Sequence, residues 1–294
     1  MSSVDIPDAW TALLPALCAG PPHVMVVGAV DAGKSTFCRW LAEAVAADHD
    51  TWLIDADVGQ SQLGPPASIG CRRAGSSRVS ADHAFFVGDV SPASCPAACL
   101  GAFARAVLSV QHAGAQRMVV DTTGWVSGPD AAALKLAKAG ILGAAHIVLV
   151  ERERELQAFR RAWRGLPEFP VHVLAPVAAV ARRPMDGRRA FREAAFRRAL
   201  EGAMECELDL GEVAISGARE LEAPLPALPP GLLLGLSDER GRLLAIGILL
   251  HMAPASGKMT CLCRPEGARA AEVRVGRLFL NPDGTHSPLA YAAI

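Results

Sequence analysis

Short apolar runs recur along the chain, each separated from the next by enough residues to build a helix. His23-Val24-Met25-Val26-Val27 leads into a glycine-rich turn. After it, Phe37, Leu41 and Val45 fall on one face of a helix that starts at Lys34. Thr51-Trp52-Leu53-Ile54-Asp55, "AFFVGD" (84–89), "MVVD" (118–121) and "HIVLV" (146–150) repeat the format of a buried strand, with helical stretches over 97–112 and 129–139. Pro170 to Leu174 reads as one more strand. Runs that are apolar throughout predict strands covered on both faces. The fold class is therefore α/β, with a mostly parallel sheet covered by helices. Ahead of it, residues 1–22 predict a short helix around Trp10, Leu13 and Leu14 that ends at Gly20-Pro21-Pro22.

After about residue 205 the pattern changes character. "GLLLGLSDERGRLLAIGILL" (231–250) is two apolar runs around Asp238-Glu239-Arg240-Gly241, a hairpin signal. "EVRVGRLFLNPDG" (272–284) alternates and closes in a type I turn at Asn281-Pro282-Asp283-Gly284. A proline-rich stretch, 224–230, connects these runs to what precedes them. The expected organisation is a helical extension (1–22), an α/β domain (23–205) and a small antiparallel β domain (206–294).

Composition narrows the function classes. A net charge of −1 over 294 residues gives no global attraction to nucleic acid. The longest apolar runs, Leu243 to Leu250 and Val171 to Ala181, are too short or too broken by Pro176 for a membrane span. Asp5, Asp8 and Pro15 stand where a signal peptide would be basic and then continuously apolar. The eight cysteines form no CxxC pair, so neither a zinc site nor a disulfide framework is expected, and the default location is cytoplasmic. The basic charge is nearly all arginine, with lysine only at positions 34, 135, 138 and 258.

One of those few lysines fills a demanding slot. "GAVDAGKST" (28–36) fits GxxxxGK[ST] between a strand and an amphipathic helix. Gly28 and Gly33 let the loop through Asp31 and Ala32 fold so that successive N–H groups point at phosphate oxygens. Lys34 would reach the β- and γ-phosphates, facing ligand and solvent, and Ser35 would ligate Mg²⁺. Thr36 adds the positive end of a helix dipole. The expected ligands are ATP or another nucleoside triphosphate, with Mg²⁺. Guanine-specific GTPases read their base with Asn-Lys-x-Asp, and the single asparagine here, Asn281, lies in a turn.

"DADVGQSQLGPP" (55–66) follows the second strand. Asp55 and Asp57 point the same way if the strand continues, so one can hold Mg²⁺ while the other takes a proton from an attacking hydroxyl. Gln60 is a polar hand for a phosphate or water. In "DTTGWVSG" (121–128), Asp121 is the metal-orienting acid usual for a P-loop fold. Trp125 either packs in a core or offers a stacking face to a base. "RRPMDGRRAFREAAFRR" (182–198) puts Arg188 and Arg192 four apart on one side of a helix, where they can clamp phosphates or remain solvated. These residues alone leave three acceptor readings open: a polynucleotide, a small molecule, or none, as in a catalytically silent nucleotide-binding subunit.

Together the segments resemble the polynucleotide 5′-hydroxyl kinase family, which includes the kinase subunit of the eukaryotic pre-mRNA cleavage factor, a ribosomal-RNA-processing kinase and shorter prokaryotic relatives. The family pattern is a P-loop GKST, an acidic DxDxGQ segment, a TxGW clasp and an arginine lid. These stand here as Gly33 to Thr36, Asp55 to Gln60, Thr122 to Trp125, and Arg188 to Arg192 within a lid near 182–201. The resemblance covers roughly residues 23–205 and implies transfer of the γ-phosphate of ATP to the 5′-hydroxyl of RNA or DNA ends. It implies catalytic roles for Lys34, Asp57, Arg188 and Arg192, with Asp57 as base. Acceptor contacts would come from Gln60, Thr123 and Trp125, and metal binding from Ser35, Asp55 and Asp121. Only about twenty residues precede the P-loop, where eukaryotic members carry a β domain, so docking into the cleavage factor is not implied.

Overall fold

The computed structural model describes residues 6–77, 80–177, 184–217 and 228–289; Arg182, Arg183 and most of the proline-rich connector lie outside them. The chain divides into two compact units. The first comprises Met1–Asp57, Cys71–Asp82 and Ala106–Arg183, and the second Val58–Gly70, His83–Arg105 and Pro184–Ile294.

The first unit opens with α1 (Asp8–Cys18), β1 (His23–Gly28), α2 (Lys34–Val45) and β2 (Thr51–Ala56). Then β3 (Ser68–Arg73) enters it at Cys71, while β4 (His83–Phe86) belongs to the second unit. Next, α3 (Pro96–His112) re-enters the first unit at Ala106. It is followed by β5 (Arg117–Thr122), α4 (Pro129–Leu142), β6 (Ala145–Val150), α5 (Gln157–Ala162) and β7 (Val171–Leu174). The strands lie in the order β3-β2-β5-β1-β6-β7. Pairing is parallel for β2–β5, β5–β1, β1–β6 and β6–β7.

Every residue of β2 and β6 is buried, as a sheet covered on both faces requires. On α2, Phe37, Leu41 and Val45 are all buried, as their spacing predicts. Trp10 of α1 meets Phe37 edge-on, with ring centroids 5.2 Å apart. Parallel strands bring all their C-terminal ends to one edge. Here β1 lies between β5 and β6 while its successor β2 lies beyond β5, so the loop after β1 sits where strand order reverses. In open α/β sheets that is where ligands bind.

The second unit adds α6 (Met185–Ala199), β8 (Met204–Asp209), β9 (Ala214–Ser216) and β10 (Leu232–Ser237). It ends with β11 (Leu243–Ala253), β12 (Lys258–Cys263), β13 (Glu272–Leu280) and β14 (His286–Pro288). Its sheet runs β14-β13-β10-β11-β12-β8, with β9 beside β13. The expected hairpin is β10 and β11, antiparallel. Its turn is held by Asp238, whose Oδ1 accepts from the N–H groups of Arg240 (2.9 Å) and Arg242 (2.8 Å).

The "FFVGD" segment is a strand only as far as Phe86; beyond it the Gly88 carbonyl accepts from the N–H of Arg277 at 2.8 Å. Phe86 lies over β10 so closely that a Cβ on Gly235 would come within 2.2 Å of the ring, so only glycine fits there.

Candidate active site

The loop after β1 is shaped by two backbone devices. Asp31 (φ 56°) and Gly33 (φ 88°) both take left-handed conformations, and Gly33 caps α2. At Gly28 a Cβ would meet the Val150 carbonyl oxygen at 2.7 Å, so this strand end runs against β6 with no room for a side chain. Ala32 is buried, while Ser35 and Thr36 are half-buried on the first turn of α2.

Lys34 does not face solvent as its position in the motif suggests. It is 5% exposed, and its Nζ donates to the Ala29 carbonyl at 2.9 Å. The ammonium is thus folded into its own loop, bonded to a group that a phosphate oxygen can replace.

The acids come from adjacent strands. Parallel pairing of β2 with β5 sets Asp55 directly beside Asp121, and pairing of β1 with β5 sets Val26 on Asp121's other side. Both carboxylates are buried, at 4% and 3% exposure. Asp55 Oδ1 accepts from the Asp57 N–H at 3.1 Å, which fixes the turn that carries the half-buried Asp57. Burial holds the Asp121 carboxyl above the usual carboxylate range against the pull of the Lys34 ammonium. Asp57 pushes it further up, and a hydrogen bond with Ser35 opposes.

Oδ1 of Asp121 is buried with no hydrogen-bond partner. An unsatisfied buried carboxylate oxygen is costly. With Ser35 and Asp55 beside it, the donor set is all oxygen, which suits a hard divalent cation such as Mg²⁺. No group of three or more His, Cys, Asp or Glu side chains gathers around a metal position among the described residues.

The segment after β5 lies against the P-loop. Thr122 Oγ1 donates to the Val26 carbonyl at 2.7 Å, and a Cβ on Gly124 would come within 2.7 Å of the Val30 N and Cα. Thr123 is buried and Trp125 half-buried.

Sequence reasoning missed the partner of Thr123. Lys135 of α4, fully buried, donates through Nζ to the Thr123 carbonyl (2.7 Å) and hydroxyl (3.0 Å). Burial drives its ammonium well below the usual lysine range. Lys138 and Lys34 push the same way, while Asp57 and Asp121 oppose. The scarcity of lysine was the available signal, with two of the four standing three apart on one helix.

The remaining predicted residues lie in the second unit. Gln60 Nε2 donates to the Gly59 carbonyl (2.8 Å) and to the Arg188 carbonyl (3.3 Å), so the end of the acidic motif is tied to the start of the arginine helix. Arg188 and Arg192 are half-buried on α6, and Arg192 Nε lies 3.5 Å from His286 Nε2. Their neighbour Arg189 pairs with Glu193 at 2.8 Å on the outer side.

Comparison with known proteins adds to this geometry. The chain is 30% identical over 225 residues to the polyribonucleotide 5′-hydroxyl-kinase of Thermococcus kodakarensis, covering 72% of this chain and 62% of that protein. It is 28% identical to human polyribonucleotide 5′-hydroxyl-kinase Clp1, across 76% of this chain and 56% of that one. The chain therefore spans about three-fifths of the length of these relatives.

Among solved structures, the wild-type Clp1p–Pcf11p complex matches with a TM-score of 0.67 at 12% identity. The match covers 91% of this chain and 78% of that one and shows a common fold. A family profile described as mRNA cleavage and polyadenylation factor CLP1 P-loop matches residues 28–202, from the first glycine of the phosphate loop to the end of the arginine helix. With more than half of its length so matched, the chain belongs to the CLP1 P-loop family.

Proposed function

We propose that this chain is an ATP-dependent kinase that transfers the γ-phosphate to the 5′-hydroxyl end of RNA or DNA. The observation that carries the acceptor side of this reading is the close approach of Gly124 to Val30. It puts the Thr123–Trp125 loop directly against the nucleotide loop, where a polymer end would have to arrive. The names of the relatives favour a polyribonucleotide end.

The acceptor oxygen attacks the γ-phosphorus as its proton passes to Asp57, and the bond from that phosphorus to the bridging oxygen of ADP breaks. Lys34 exchanges the Ala29 carbonyl for phosphate oxygens and, with Arg188 and Arg192, offsets the charge on the transferring group. Ser35, Asp55 and Asp121 would hold Mg²⁺, which supplies further charge neutralisation at the β- and γ-phosphates. Gln60, Thr123 and Trp125 orient the acceptor.

No described helix is long and apolar enough to cross a membrane. Eight free thiols suit a reducing compartment, and we place the protein in the cytoplasm. The test is to supply γ-labelled ATP and Mg²⁺ with 5′-hydroxyl RNA and DNA oligonucleotides, single- and double-stranded. Label on a 5′ end is the expected result. Label released only as free phosphate, or transferred only to small alcohols, would overturn the reading.

A further inference from the structure

Lys135, which holds Thr123, has no role in the chemistry above. Thr122 is the last residue of β5 in register with β2, so from Thr123 onward the chain leaves the ladder while still buried. A buried carbonyl outside a sheet needs a donor from elsewhere. The donor here is the Lys135 side-chain nitrogen, delivered from α4, twelve residues on, to both the carbonyl and the hydroxyl of Thr123. An apolar side chain of the same length would fill the volume without the cost of burying a polar group. What the nitrogen adds is a fixed orientation for a loop whose next residue, Gly124, rests on Val30 of the P-loop, and whose next but one is Trp125.

We propose that Lys135 is a positioning residue: it pins Thr123 so that the Thr123–Trp125 loop is held ready for the acceptor end beside the loaded nucleotide loop. The inference rests on the kinase reading. It assigns Lys135 a selective effect on the acceptor, although the residue touches neither substrate.

The experiment compares Lys135→Met and Thr123→Val with the wild type. Because Thr123 is itself assigned to the acceptor, Thr123→Val is read for its coupling to Lys135, and Lys135→Gln, which keeps an N–H donor on a shorter arm, is added so that the test stays informative if Lys135→Met fails to fold. KM for a 5′-hydroxyl oligonucleotide, KM for ATP, kcat and the melting temperature are measured for each. Lys135→Met should raise the oligonucleotide KM roughly ten- to hundredfold, the equivalent of two lost hydrogen bonds, with the ATP KM within about twofold. Thr123→Val should move the same constant in the same direction by a smaller factor. The double variant should then add little to Lys135→Met alone.

A packing role would instead lower the melting temperature and the active fraction and leave both KM values in place. That result, or equal shifts for both substrates, overturns the proposal while the kinase reading stands. A wild-type protein that labels no oligonucleotide overturns the kinase reading and the positioning role together.

Discussion

The two units bury different kinds of atoms. Among the described residues, the first unit encloses Lys34, Asp55, Asp121, Lys135, Lys138 and Glu151, all below 6% exposure. Among the described residues of the second unit, the buried polar side chains are Ser61, Ser68, Asp89 and Ser237, of which only Asp89 is ionisable. There the core is Leu232, Leu234, Leu236, Leu249, Met259 and their neighbours, and the ion pairs Lys258–Glu207 and Arg242–Asp238 lie on partly exposed surface.

An antiparallel sheet can keep its charges at the rim because its strands alternate, as β12 does. A covered parallel sheet has no such outlet at its strand ends. Polar groups placed there are desolvated and must be held by polar partners, as Arg160 holds Glu151 and the Thr123 carbonyl holds Lys135. Such an arrangement costs stability, which points to chemistry as the reason for it. The antiparallel region, by contrast, contributes a conventional apolar core.

Substitutions at the two places should therefore read out differently. The largest effect is expected at Lys34. Lys34→Ala removes the cation of the loop, and turnover should fall by at least roughly 10²–10³-fold with little change in melting temperature. Near-normal turnover would break both the kinase assignment and the contrast drawn above.

Asp57 comes next. Asp57→Asn should reduce kcat by about 10²–10⁴-fold at nearly constant ATP KM, the usual share of general-base catalysis. Asp55→Asn and Asp121→Asn should act instead by raising the Mg²⁺ concentration needed for half-maximal rate. Normal turnover in Asp57→Asn with none in Asp55→Asn would exchange the two roles.

The control on the other side is Leu234→Ala, in the fully buried β10. It should lower stability by about 2–5 kcal/mol through the cavity it leaves, while the protein that remains folded turns over normally. Denaturant unfolding and kcat per folded molecule are the measurements.

Trp125 tests whether the half-buried aromatic belongs with the charged site or with the packing. If it stacks on a nucleotide, Trp125→Ala should weaken oligonucleotide binding by about 1–3 kcal/mol and spare ATP, with Trp125→Phe recovering part of the loss. A large melting shift with equal losses for both substrates would assign it to packing.

The smallest effect is expected at the opposite end of the same parallel strands. Burial, helped by Arg117, holds His23 down at about 4, and burial lowers His146 and His172 as well. The neutral His23 ring is also held in place, its Nδ1 accepting from the Met118 N–H at 3.2 Å. The unfolded chain binds more protons than the folded one between the ordinary value of 6.5 and about 4, so stability should be full above 6.5 and fall as pH drops through that window. Melting temperature against pH should show this slope, and His23→Gln should flatten it.

Much of the site was legible because its signals are local. Strand, glycine turn and helix at 23–45 need only neighbours within a turn or a strand of one another. The same holds for the hairpin around Asp238 and for the buried face of α2. Other elements left a weaker trace. The strand β8, "MECELD", alternates apolar and charged residues, with Cys206 and Leu208 buried, but it is six residues long and its neighbour β12 lies some fifty positions on. The lysine expected to face solvent at position 34 is buried, its ammonium bonded to the Ala29 carbonyl of its own loop, a contact that motif spacing does not reveal.

The sequence by itself determined where a phosphate can be held, which residue types stand near it, and that an alternating β region follows. Tertiary structure alone decided that Asp55 lies beside Asp121, that Lys135 reaches Thr123, that Gly124 rests on Val30, and that Gln60 ties to the helix of Arg188. The physical reason is range. Periodicity and turn chemistry act between residues a few positions apart, whereas these contacts join segments whose separation is closed only by the order and register of strands.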